Sequence, residues 1–291
     1  MKRLSMIENR PMMLLDEPGE INNNYGDGLK TISFELDIIG QSTYFSICVA
    51  QKQAKLSDIT PLARMLSTKV AMMVLDKLQS NGEFVPCRKG CSACCNYLIP
   101  LSVPEAFCLR EEIRAMPTEQ SIAVSQSFLD TAKIILNEKP KIFEINESET
   151  NCQIQINDLS KWYASLKLAC PFLSNNLCTS YEHRPIACRE YIVTGSALLC
   201  EDEWSDESQI VQMPISILDC LGHLAAELEQ SDIEAVMLPL ALPWVQENLE
   251  RGERTWPAVA MVECFVEILQ ALNIEQSKKP TIKKPQLCTT Y

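Results

Sequence analysis

The stretch Cys87-Arg88-Lys89-Gly90-Cys91-Ser92-Ala93-Cys94-Cys95 sets four thiols within nine residues. Spacings this short let one loop wrap around a metal, each cysteine offering a soft thiolate from successive bends of backbone. Gly90 frees the backbone to bend and to bring its N–H toward a bound sulfur. Arg88 and Lys89 are expected to lower the neighbouring thiol pKa values and so favour thiolate. A second group follows at a distance: Cys170-Pro171-Phe172-Leu173-Ser174-Asn175-Asn176-Leu177-Cys178, then Tyr181-Glu182-His183-Arg184-Pro185 and Cys188-Arg189. The Asn175-Asn176 pair is a turn signal that would bring Cys170 and Cys178 together. A centre shared by both groups would close a loop of roughly eighty residues, and loop closure on that scale decides the fold.

Cys87-x3-Cys91-x2-Cys94-Cys95, followed by Cys170-Pro-Phe-Leu, Cys178, Tyr181-Glu182-x-Arg184-Pro185 and Cys188-Arg189, resembles the cysteine-cluster family described as a zinc- or iron-chelating domain. That family includes bacterial proteins of undetermined activity and is distantly related to flagellin lysine N-methylases. The likeness spans roughly residues 86–195. It implies metal binding by Cys87, Cys91, Cys94, Cys95, Cys170, Cys178 and Cys188, and it transfers no catalytic residue.

Seven cysteines exceed the four ligands of one tetrahedral zinc, and they also exceed the four of a cubane cluster. Pro171 after Cys170 echoes the proline that shapes the turn beside the cluster in bacterial ferredoxin runs. The reading leans to an iron–sulfur cluster over zinc. Vicinal Cys94 and Cys95 are expected to point apart, so that only one of them faces the centre. Arg184 and Arg189 are candidates to offset thiolate charge around the cofactor, and Tyr181 either donates to a thiolate or simply packs. Cys87-x3-Cys91-x2-Cys94 also has the spacing of radical S-adenosylmethionine enzymes. That reading is set aside, because Ala93 stands where those enzymes carry an aromatic residue and the surrounding chain reads helical.

The plainer readings set the limits. Cys48, Cys108, Cys152, Cys220, Cys264 and Cys288 read as small buried hydrophobes, and Cys200 is ambiguous. Disulfides formed on oxidation are the main competitor to metal at the seven clustered cysteines. His183 reads as a surface residue, or one supporting the ligands, rather than a ligand itself, and His223 as a residue of an ordinary helix.

Outward from the cysteines the chain reads mainly α within an α+β class, with a small N-terminal β-hairpin. Residues 1–28 look irregular. Ile32, Phe34, Leu36 and Ile38 alternate with polar residues, and Gly40-Gln41-Ser42 turns the chain into a second strand, Thr43 to Val49. Asp58 is expected to cap a helix with Leu62, Leu66, Val70 and Met73 on one face, ended by Asn81-Gly82. Ser102 and Glu105 have capping-box spacing and open a helix that stops near Pro117. Residues 118–137 read as a helix with Ile122, Leu129, Ala132 and Leu136 as its apolar stripe. The polar stretch 138–157 reads as loop, and a short helix surrounds Trp162, Tyr163 and Leu166. Residues 216–275 read as three helices, the last capped by Thr255 with Val262, Phe265, Leu269 and Leu272 in line. This divides the chain into an N-terminal extension (1–85), a cysteine-cluster domain (86–200) and a C-terminal helical region (201–291) with a basic tail.

A chain of 291 residues with 46% hydrophobic residues buries a real core. Its net charge of −12 repels phosphate backbones and anionic membranes, so neither nucleic acid nor membrane is an expected partner. Lys2 and Arg3 lead into Glu8, Arg10 and Asp16 rather than an apolar run, which argues against a secretion signal. The most apolar stretch, Trp256 to Ile274, is broken by Glu263 and Glu267. A cytoplasmic location is therefore expected, and there fourteen cysteines point to metal or redox chemistry rather than a disulfide framework. Three functions fit: a metal protein whose centre is at least structural, an iron–sulfur enzyme of redox or methyl-transfer type, or a redox- or metal-responsive adaptor for an unknown protein or small-molecule partner.

Overall fold

In a computed structural model, residues 11–15, 28–138, 152–196 and 209–278 are described. The fold is α+β, helices packed around small antiparallel sheets. In chain order the elements are β1 (Met12–Leu14), β2 (Leu29–Ile38), β3 (Gln41–Ala50), β4 (Gln53–Lys55), α1 (Thr60–Ser80), β5 (Pro100–Ser102), α2 (Val103–Ala115), α3 (Thr118–Asn137) and α4 (Cys152–Ser165). They continue with β6 (Leu173–Ser174), β7 (Leu177–Cys178), α5 (Ile186–Glu190), β8 (Val193–Thr194), β9 (Gln209–Ile210) and α6 (Ile217–Glu229). The last are β10 (Ala235–Met237), α7 (Ala241–Glu247), α8 (Leu249–Gly252), β11 (Thr255–Pro257) and α9 (Ala258–Lys278).

The hairpin forms as its alternation requires: Phe34, Leu36 and Ile38 are buried while Glu35 and Asp37 face out. Its turn falls at Ile39-Gly40, earlier than Gly40-Gln41-Ser42, because Ile38 pairs directly with Gln41. Both turn residues have positive φ, 56° and 74°, as a two-residue turn matched to the strand twist demands. Asp37 Oδ1 accepts from Gly40 N at 2.6 Å and holds the turn, which a β-branched Ile39 would otherwise resist. Residues 12–14, expected to be irregular, add a third strand: β1 pairs antiparallel with β3 and makes it the central strand. The rest of residues 1–28, save 11, 15 and 28, lie outside the described residues.

Asp58 does cap, but one turn early. Its Oδ2 accepts from Lys55 N at 2.8 Å and closes the 3₁₀ turn Leu56–Ile59 that leads into α1. Helix α1 then buries Leu62, Leu66, Val70 and Val74, Met73 lies at the edge, and the helix ends at Asn81-Gly82 as expected. The Ser102–Glu105 capping box is present at the head of α2. Helix α3 spans the expected residues but turns a different face inward. Val124, Phe128, Ala132 and Ile135 are buried, whereas Ile122, Leu129 and Leu136 are exposed. Phe128 decides the rotation, its ring meeting Phe172 edge-on with centroids 5.1 Å apart. Helix α4 begins at Cys152, inside the stretch read as loop; residues 139–151 lie outside the described residues.

Residues 216–275 hold more than three helices, since the non-helical backbone of Asn248, φ −115° and ψ 25°, splits the middle part into α7 and α8. Thr255 is no cap: it lies in β11, which pairs with β4 and so ties the head of α9 to the N-terminal strands. Within α9, Val262, Phe265 and Leu269 are buried and Leu272 is partly so.

Two apolar cores result. One gathers β1–β3, α1, α6 and α9 and takes in Ile186 and Ile192. The other gathers α2, α3, α7 and β10 with Phe172, and Cys170, Cys178 and Cys188 pack against it. The second cysteine segment therefore runs along the seam between the cores. No described helix is long and apolar enough to cross a membrane.

Candidate metal centre

The first cysteine loop is built from tight turns. Cys91 N donates to Arg88 O at 3.0 Å and Cys95 N to Ser92 O at 2.9 Å, with Gly90 at φ 92° between them. A side chain at position 90 would be strained there, which is why glycine serves the turn. The second group is shaped by a hairpin. Strands β6 and β7 pair Leu173 with Cys178 across Asn175 and Asn176, whose φ angles of 50° and 61° are left-handed, and asparagine tolerates that region. The turn expected at Asn175-Asn176 is thus the turn observed.

The two groups meet. Cys170 N donates to Cys95 O at 2.7 Å. Gly90 lies against the hairpin, a Cβ there falling 3.7 Å from Leu177 Cδ2. Helix α5, which carries Cys188, is pinned from the other core: Glu105, 1% exposed, accepts from Ile186 N at 2.8 Å and from Ser102 N and Oγ. One buried carboxylate thereby completes the cap of α2 and fixes the start of α5.

Cys87 is exposed, and Cys91, Cys94, Cys95, Cys170, Cys178 and Cys188 are partly buried; none of the seven is disulfide-bonded. Burial pushes the Cys188 thiol well up, and Cys170, Cys94 and Cys178 oppose its ionisation further. Cys170 is pushed up to about 12, by burial first and then by Cys178 and Cys94. Cys94 is raised by a hydrogen bond with the Cys95 thiol, by burial and by the Cys95 charge. The bond from Cys95 N to Ser92 O closes the turn that carries both residues. Cys87 is raised by burial, Cys94 and Cys91, and Cys178 by burial. Arg184 opposes the rise at Cys87, Cys94, Cys178 and Cys188, so its guanidinium is the cation these four share. Lys89, expected to favour thiolate, instead lies over the Tyr181 ring at 5.3 Å and pairs with Glu182 at 3.6 Å. Among the described residues, no three Cys, His, Asp or Glu side chains stand at metal-holding spacing.

Tyr181 packs: the Arg184 guanidinium lies over its ring at 4.3 Å. The Nε of Arg184 is buried and has no hydrogen-bond partner. Arg189 is held by Arg184 O, Glu182 O and Thr68 Oγ1. With Cys87, Cys188, Tyr181 and Arg184 it lines a cavity of about 110 Å³. His183 is an exposed residue whose Nδ1 lies 3.0 Å from Glu112 Oε1, the surface role expected of it, and His223 is an exposed residue of α6. Cys48, Cys108 and Cys220 are buried and Cys264 is half-buried; Cys200, Cys288 and the side chain of Cys152 lie outside the described residues.

Sequence reasoning missed Thr68, Arg64 and Glu112, which come from α1 and α2. Arg64 Nη1 meets Glu112 Oε1 at 2.6 Å beside Arg189. No spacing rule links those positions to the cysteines, and only the packing of α1 on α5 brings them there. Compared with protein-family models, with curated proteins and with solved structures, the chain matches none.

Proposed function

We propose that this chain is a metal protein of the cysteine-cluster type, in which Cys94, Cys170, Cys178 and Cys188 hold a zinc ion or an iron–sulfur cluster. Cys87 and Cys91 flank that quartet, and Cys95 supports it through its contact with Cys94. One observation supports the reading: Cys170 N donates to Cys95 O at 2.7 Å, so the backbones of the two cysteine groups meet although they come from separate stretches of chain. Among the described residues the side chains do not stand at metal-holding spacing, so ligation would require the sulfurs to draw together. The donors fit in kind, four soft sulfurs being the set that zinc and iron–sulfur clusters take. A bound centre would supply fold closure, since it ties the 87–95 loop to the seam between the two cores.

The buried, unpartnered Nε of Arg184 fits the same account, because a guanidinium offsets the negative charge that four thiolates leave. The experiment is metal analysis and melting of Cys178→Ser and Cys188→Ser, with Cys264→Ser as the comparison. Both cluster variants are expected to lose metal and melting temperature while Cys264→Ser keeps both. Unchanged metal stoichiometry in both cluster variants would refute the assignment.

A second reading, an iron–sulfur enzyme of redox or methyl-transfer type, is favoured by the 110 Å³ cavity beside Cys87 and Cys188. Such an enzyme needs an open position next to its cluster. Protein purified without oxygen would then be brown and change its spectrum with a reductant or with S-adenosylmethionine; a colourless zinc protein would exclude it.

A further inference from the structure

Helix α3 has two apolar stripes, and the core uses one of them: Val124, Phe128, Ala132 and Ile135 face inward. Roughly a third of a turn round the helix lie Ile122, Leu129 and Leu136, in steps of seven residues and exposed at 65%, 44% and 48%. A step of seven is the period at which two helices meet along a seam. Small residues alternate with these large ones, Thr118, Ser125 and Ala132, again in steps of seven. Ser125 is half-buried and Ala132 buried, so the helix surface is low where they sit.

Large and small in alternation make this face complementary to a reversed copy of itself. When two α3 helices lie antiparallel with Leu129 of one opposite Ser125 of the other, the same register sets Ile122 opposite Ala132 and Leu136 opposite Thr118. The two-fold repeats all three, so every large side chain meets a small one. A parallel pair would set large against large and small against small, and leave gaps.

Charge selects the same direction. Glu119 and Lys133 flank the stripe on one side, toward opposite ends of it. Reversal brings each Glu119 within a turn of the Lys133 of the other copy, whereas parallel copies hold the two about 20 Å apart along the axis. Lys133 already meets Asp130 at 3.6 Å, and an ammonium has three donors, so it takes a second carboxylate without losing the first. From Ile122 to Leu136 the seam is only about 20 Å long, so the pairing it supports is weak and depends on concentration.

We propose that the outer face of α3 is the interface of an antiparallel homodimer, with Ile122, Leu129 and Leu136 of each copy seated on Ala132, Ser125 and Thr118 of the other. The surface uses none of the seven cysteines and stands whether or not they hold metal.

The test is sedimentation equilibrium of the full chain from micromolar to millimolar concentration. Reductant keeps disulfides out of the result, and salt at about 0.15 M screens the −12 charge of each copy. A monomer–dimer equilibrium is expected. Leu129→Glu, at an exposed position, should weaken it roughly tenfold or more by setting like charges near the two-fold. Ile233→Glu, exposed at 58% between α6 and β10, should leave it unchanged. Glu119→Lys should weaken it about threefold, and Glu119→Lys together with Lys133→Glu should restore it. A chain that stays monomeric throughout leaves the stripe to another protein or to residues 139–151 of its own chain, and overturns the proposal. A dimer that Leu129→Glu leaves intact overturns it too, and failure of the double exchange to restore pairing overturns the antiparallel order. Melting temperature and metal content read on the same samples separate loss of pairing from unfolding and from the fate of the metal reading.

Discussion

The backbone N–H of Cys170 donates to the carbonyl of Cys95 at 2.7 Å. That bond joins the first cysteine loop to the segment carrying the other three sulfurs, and it is made by backbone alone. Convergence of the two groups is thus a property of the fold, which a bound centre would tighten rather than create.

The first prediction follows from the thiols in the metal-free fold. Burial holds Cys170 up at about 12 and Cys188 well above the ordinary 9.0. A thiol raised by folding favours the protonated state, so its contribution to stability is complete below pH about 9 and is lost as pH climbs toward the folded value. Metal-free protein should therefore melt at lower temperature at pH about 10.5 than at pH about 8. Metal competes with those same protons, so loading in weak buffer should release about four protons per centre, and apparent affinity should rise with pH. A calorimetric titration in buffers of different ionisation heat counts them.

The Asn175-Asn176 turn sets the position of Cys178. With φ 61° at Asn176, Asn176→Val forces a β-branched residue into the left-handed region and should cost about 1–2 kcal/mol, whereas Asn176→Gly should be neutral or mildly stabilising. Thermal melts measure both, and metal content of the valine variant should fall with the displaced hairpin.

Glu105 links the cap of α2 to the helix that bears Cys188. Glu105→Ala leaves Ile186 N and Ser102 N without their acceptor in a buried setting, and each such group costs about 1–3 kcal/mol. Urea unfolding should show a loss of that order, larger than an exposed N-cap change gives.

How much could be read in the chain beforehand differs by element, and the differences have physical causes. The hairpin, the Ser102–Glu105 box and the Asn175-Asn176 turn were legible because each rests on local chemistry within a few residues. The inward face of α3 was not. Its residues offer two apolar stripes, and Phe128 is chosen only because Phe172 waits across the packing. Strand β1 was hidden for the same reason: Met12–Leu14 become a strand only because β3 has an open edge. At the candidate site, the turns that shape the cysteine loops and the meeting of the two loops were legible. The role of Glu105 as a bridge and the approach of Thr68 and Arg64 were not, since each depends on helices meeting in space.

The central claim, that sulfurs from both cysteine groups hold one centre, is tested most directly by X-ray absorption at the metal edge. The sample is protein purified without oxygen, with its metal content measured in parallel. The account predicts about one centre per chain with a shell dominated by sulfur at about 2.3 Å. Protein that carries no stoichiometric metal, or a metal ringed only by nitrogen and oxygen, would contradict it.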